Sequence, residues 1–153
     1  MTDVVLSWSE VRTAAFVGLD RAVRALAQER RATYGQGFDW SYNLIGAIGE
    51  CAVGKLLDRY PSRGPLPDVD DVGPYQVRST TRRDGCLIVH ETEGATTRYV
   101  LVRGDPPVLD VAGWIVGADA QCARYWREDV RHAAYFVPAA ALSPIESLPE
   151  LRR

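Results

Sequence analysis

One fourteen-residue stretch constrains this chain more than any other: residues 67–80, Pro-Asp-Val-Asp-Asp-Val-Gly-Pro-Tyr-Gln-Val-Arg-Ser-Thr. Three aspartates, Asp68, Asp70 and Asp71, run into a Gly73-Pro74 turn, and an alternating segment follows. Successive strand side chains leave on opposite faces, so Tyr75, Val77 and Ser79 share one face and Gln76, Arg78 and Thr80 the other. The turn folds the acidic cluster back on that strand, bringing carboxylate, amide oxygen and guanidinium towards a common focus. Oxygen donors beside a cation suit a hard divalent metal and a phosphate.

The run Asp71-(x4)-Gln76-Val77-Arg78 resembles the signature of the PD-(D/E)XK nuclease superfamily, an Asp followed on a strand by Glu-x-Lys or Gln-x-Lys. A literal Pro67-Asp68 precedes it, and Gly46-Ala47-Ile48-Gly49-Glu50 offers the acid that such proteins commonly add on a preceding helix. Two of the three signature positions depart from the pattern. The resemblance implies an α/β fold with a restriction-endonuclease-like core: a mixed central β-sheet flanked by helices, here with an added N-terminal helix. It further implies a Mg²⁺- or Mn²⁺-dependent nuclease hydrolysing phosphodiester bonds in DNA, of bacterial or phage origin.

Under that resemblance Asp71 is the central metal ligand, with Asp68 and Asp70 as competitors for the role. Gln76 gives its side-chain oxygen, Val77 its backbone carbonyl, and Glu50 binds directly or through water. Arg78 stands where the family has lysine. Arginine stays charged in proteins, so Arg78 can stabilise a phosphate but cannot act as a base. Lys55 is an alternative source of an ammonium. Ser79, Thr80, Arg82 and Arg83 are candidate phosphate contacts, or equally a solvated turn. The alternative function is a catalytically inactive module that binds nucleic acid or a protein. A third reading makes the acidic cluster only a polar turn.

With 153 residues, 46% hydrophobic and 25% charged, the chain is expected to form one domain with a single core. The resemblance covers residues 41–138, leaving 1–40 as a helix and loop and 139–153 as a tail. No apolar run is long enough to span a bilayer, and residues 1–3 lack the basic start of a signal peptide. The expected location is cytoplasmic, with no membrane partner, and homodimerisation is an open option. Cys51, Cys86 and Cys122 are widely spaced, which reads as reduced core thiols. His90 and His132 stand in no catalytic context. A net charge of −2 does not advertise a nucleic-acid binder, although Arg78, Arg82 and Arg83 cluster, as do Arg12, Arg21, Arg24, Arg30 and Arg31.

Periodicity predicts a first helix over residues 8–32, capped by Ser7 or Ser9 with Glu10 in its first turn. Val11, Ala14, Ala15, Gly18, Leu19, Ala22, Val23 and Leu26 form its apolar face. Arg12, Asp20, Arg21, Arg24 and Gln28 form the other, either solvated or phosphate-contacting. A second helix spans 41–59. Its Gly46, Gly49 and Gly54 cost helix propensity and so imply close approach to another element. Glu50 lies near its apolar stripe and must be paired with an Arg or bind a cation.

A meander follows: strands at 75–80, 86–90, 98–102 and 111–116, with an Asp84-Gly85 hairpin turn. A short helix at 118–126, a strand at 134–137 and terminal turns complete the order. Trp40, Tyr42, Trp114, Tyr125 and Trp126 read as core residues rather than as base-stacking platforms.

Overall fold

The computed structural model describes residues 2–28, 39–61 and 71–151. In chain order these form β1 (Thr2–Val5), α1 (Trp8–Ala27), α2 (Trp40–Leu56), β2 (Tyr75–Thr80), β3 (Leu87–Val89), β4 (Arg98–Arg103), β5 (Val108–Val116), α3 (Gly117–Ala120), β6 (Trp126–Arg127) and β7 (Ala134–Val137). Short 3-10 turns occupy Ala123–Tyr125 and the C-terminal segment. No helix among the described residues is long and apolar enough to cross a membrane.

Two sheets share the strands. The larger runs β1-β5-β4-β2 and is mixed: β2 lies parallel to β4, while β4–β5 and β1–β5 are antiparallel. The smaller runs β3-β7-β6. The chain is therefore mixed α/β, but the expected meander does not form. The turn at Arg82–Gly85 closes as predicted, Gly85 N–H donating to the Arg82 carbonyl at 3.0 Å. Its flanking strands then part into different sheets, because Leu87 and Val89 bury themselves against Tyr99 and Leu101 instead of pairing with β2.

β4 explains the layering. Its Val100 and Val102 face the helices and the C-terminal turns, packing with Ala52, Val53, Tyr75, Val77, Ile145 and Leu148. Its Tyr99 and Leu101 face the small sheet and α3, packing with Leu87, Val89, Ile115 and Val137. A strand buried on both faces reads as a continuous apolar run, and Tyr-Val-Leu-Val is one. A register shift between Leu101 and Val102 interrupts the β4–β5 ladder.

Local signals set the helix ends. Ser7 caps α1 in a reciprocal box with Glu10: Ser7 N–H donates to Glu10 Oε2 at 2.6 Å and Glu10 N–H to Ser7 Oγ at 3.2 Å. Asp39 caps α2 by accepting from Ser41 N–H at 2.8 Å. The expected continuation of the first helix through 29–32 falls outside the described residues, and α2 stops at Leu56, three residues short of expectation. The helix expected over 118–126 resolves into α3 and a separate 3-10 turn. β1 and β6, four and two residues long, were too short to show a period.

The buried face of α1 is only part of the one periodicity suggested, which included Ala14, Gly18 and Ala22 but also the exposed Leu19, Val23 and Leu26. The buried residues are small, Ala14, Gly18 and Ala22, and they let α1 lie directly on α2. A β-carbon on Gly18 would come within 2.6 Å of the Asn43 carbonyl oxygen. The large apolar residues Phe16, Leu19, Val23 and Leu26 point outward. Trp40 and Tyr42 are likewise exposed rather than in the core, and Cys122 is an exposed thiol.

Two expectations follow. Gly18→Val should destabilise the fold by about 1–3 kcal/mol in urea denaturation, since the obstruction is backbone and cannot rotate away. The second concerns Tyr75, fully buried, whose hydroxyl donates to Glu150 and ties the C-terminal turns to β2. Burial, reinforced by that carboxylate, pushes the phenol up to about 12 from its usual 10. A raised folded-state value stabilises fully below the unfolded one and is lost as pH climbs through it. Thermal melts should therefore show a decline between pH 10 and about 12 that Tyr75→Phe diminishes.

Candidate functional site

The site is built on the free edge of β2. Val72 and Tyr75 exchange backbone hydrogen bonds at 3.1 Å in both directions across the Gly73-Pro74 turn, so Asp71 and Gln76 become the next opposed pair. Asp71 then accepts the Val77 N–H through Oδ2 at 2.7 Å. That N–H points away from β4, and a strand residue's carbonyl leaves on the same side as its N–H. The Val77 carbonyl thus shares the edge with the Asp71 carboxylate. Asp68 and Asp70, the competitors for the acidic role, lie outside the described residues.

α2 brings Glu50 to this edge. Gly49 lies so close to β2 that a β-carbon there would meet Ser79 Oγ at 1.9 Å. Gly54 is similarly tight against the Arg59 carbonyl, whereas Gly46 faces open space. Close approach therefore explains two of the three helix glycines. Glu50, 5% exposed, turns towards α1 and receives a two-pronged Arg21: Nη1 to Oε1 at 2.6 Å and Nη2 to Oε2 at 2.7 Å.

Electrostatics connect the pair to Asp71. Burial raises the Glu50 pKa; Arg21 opposes that, and the Asp71 charge adds to it. The Arg21 guanidinium is held more firmly protonated, by Glu50 above all and by Asp71 as well. Two carboxylates and one guanidinium thus act on one another within a single cluster. Arg21 is the member that sequence reasoning placed on the polar face of its helix. Its spacing of seven from Ala14 and three from Gly18 puts it on the small-residue face that packs on α2.

Other predicted residues are engaged elsewhere. Gln76 and Arg78 leave β2 on the face opposite the helices, in register with Tyr99 and Leu101. Arg78 pairs with Glu93 and lies 5.2 Å from the centre of the Tyr99 ring. Glu93 in turn accepts from His90 N–H at 2.7 Å, so Arg78 clamps the turn after β3 to β2. Burial lowers the His90 imidazole, and Arg78 and His132 add to the effect.

Lys55 binds Glu10 at 2.8 Å and the Val5 carbonyl at 2.9 Å, fastening α2 to the start of α1. Ser79 faces α2, its hydroxyl buried and without a hydrogen-bond partner among the described residues. Thr80 Oγ1 accepts from Arg82 N–H at 3.2 Å. Arg82 is exposed and forks onto Asp84, and Arg83 is exposed beside Gly104. Of the four expected phosphate contacts, Arg82 and Arg83 stand on the surface at the turn, and Ser79 lies inside.

Among the described residues no three His, Cys, Asp or Glu side chains cluster as a metal site. The donors at the β2 edge are the Asp71 carboxylate and the Val77 carbonyl, with the Glu50 carboxylate brought up by α2, while the Gln76 side chain leaves on the strand's other face. That set fits a hard cation in donor type. No protein-family model, curated protein or solved structure matches the chain.

Breaking the Arg21–Glu50 pair from one side should cost about 3–5 kcal/mol, because the remaining partner is left buried and uncompensated. Arg21→Met and Glu50→Leu combined should cost clearly less than the sum of the two singles. Urea denaturation of the four chains as a double-mutant cycle measures this.

Proposed function

We propose that this chain is a metal-dependent nuclease of a variant kind, a phosphodiester hydrolase acting on DNA through a restriction-endonuclease-like core. The observation that carries the reading is the gathering of Glu50, Asp71 and Arg21 at the free edge of β2, where Gln76 opposes Asp71. Glu50, Asp71 and the Val77 carbonyl would hold Mg²⁺ or Mn²⁺. Such an ion, when bound, supplies an activated water and charge neutralisation at the scissile phosphate.

The protein's own part is positioning. Arg21 fixes the Glu50 carboxylate in one orientation through two parallel hydrogen bonds. The Val77 N–H does the same for Asp71. Arg82 and Arg83 offer cationic groups on the surface at the end of the same strand. Arg78, paired with Glu93, keeps the neighbouring turn in place and stays charged, so no side chain at the signature lysine position takes up a proton.

A second reading, a nuclease-like module that binds nucleic acid without cutting it, is favoured by one observation. Both Glu50 oxygens are already occupied by Arg21.

Incubation of the purified chain with supercoiled DNA and Mn²⁺ or Mg²⁺ tests the choice. Nicking is expected, and Asp71→Asn should reduce it at least ~10²-fold with an unchanged circular dichroism spectrum, since an amide oxygen can still accept the Val77 N–H. Full activity in that variant would remove Asp71 from the ligand set. DNA binding without nicking, with no heat on titrating Mn²⁺ into the chain, would favour the second reading.

A further inference from the structure

The outward face of α1 carries an apolar stripe that no other described element covers. Trp8, Phe16, Leu19, Val23 and Leu26 are 66%, 64%, 42%, 50% and 43% exposed. At 3.6 residues per turn they fall within an arc of about 80° on one side of the helix. From Phe16 onward the spacing is three, four, three, the knob spacing of a helix that packs against another helix. The inner face of the same helix is made of Ala14, Gly18 and Ala22. The helix thus uses its small residues internally and presents its large ones outward.

We propose that this stripe docks against the same stripe of a second copy, with the two α1 helices antiparallel about a two-fold axis near Leu19. Three observations select a second copy. The first is area. Phe16, Leu19, Val23 and Leu26, the four within the crossing, expose roughly 350 Å² of apolar surface, taking about 150–250 Å² for a full aromatic side chain, and Trp8 lies beyond the partner's last turn. A standard interface buries about 800 Å² per partner, of which roughly 65% is apolar in homodimers, so the stripe supplies most of the apolar part of one.

The second is charge. Asp20 and Arg24, bordering the stripe, are paired with each other at 2.9 Å and present no net charge to a partner. Arg12 is the single cation within the arc. In an antiparallel pair it meets the last turn of the partner's α1, the negative end of that helix; in a parallel pair it would meet itself. The third is shape. Antiparallel crossing near Leu19 sets Phe16 opposite Val23 in both halves, a large residue against a small one, as an isologous interface requires.

Sedimentation equilibrium of the full chain tests the proposal. The expected result is a dimer at micromolar concentration. Leu19→Asp places a carboxylate beside its own copy at the axis and should weaken association at least 100-fold. Val23→Asp should do the same through Phe16. Both positions are solvent-exposed, so circular dichroism and the melting temperature should stay near those of the unsubstituted chain. A monomer at 100 µM would overturn the proposal, whatever other partner the stripe serves. So would a dimer that both substitutions leave intact.

Discussion

Helix α2 rests on β2 at Gly49 and Ser79, with no room between them for a single β-carbon. The candidate site depends on that contact. One residue further along, the helix has turned by about a quarter-turn, and Glu50 is delivered beside the sheet edge rather than over its face. Any side chain at Gly49 would lift the helix off the strand and carry the carboxylate away from Asp71. The Ser79 hydroxyl is buried there without a partner among the described residues, an ordinary penalty for a polar group removed from water.

The cluster that results is held by opposing influences, with burial the largest on Glu50. Desolvation discourages charge on Glu50, and the neighbouring Asp71 charge discourages it further. The forked guanidinium works the other way, and as the planar donor pair matches the carboxylate, lysine would not replace it. Such a group of charges is costly to assemble and unforgiving of partial removal. Apolar packing would have made a simpler joint between α1 and α2, which is why a functional reading of this joint is attractive.

Much of this was legible in the sequence. The alternation of residues 75–80 gave β2 its bounds and its two faces, and Ala134–Val137 was read correctly as a strand. The glycines of α2 announced close approach, true of Gly49 and Gly54 but not of Gly46. What escaped was non-local. The Asp84-Gly85 turn is a local feature and forms, yet turn chemistry does not say which sheet the next strand joins. The face of α1 was drawn too wide, taking in Leu19, Val23 and Leu26 with Ala14, Gly18 and Ala22, because hydrophobicity ranks Leu and Val above Ala and Gly, whereas helix contact distance ranks them the other way. Arg21 was hidden by the same error, since a charge on a small-residue face looks like part of the polar one. Glu50 was anticipated as needing either an arginine or a cation, and the arginine is there.

The pairing of β1 with β5 has a consequence for how the molecule is made. Thr2 is registered with Val111, so β1 must wait on a ribosome for a partner made about a hundred residues later. At about 5–20 residues per second the delay is several seconds. Meanwhile α1 and α2 can already zip together, since their contact is short-range. The sheet closes late, over long loops whose ordering is slow. Until then the apolar faces of β1 and of the paired helices that the sheet will cover stay open to water.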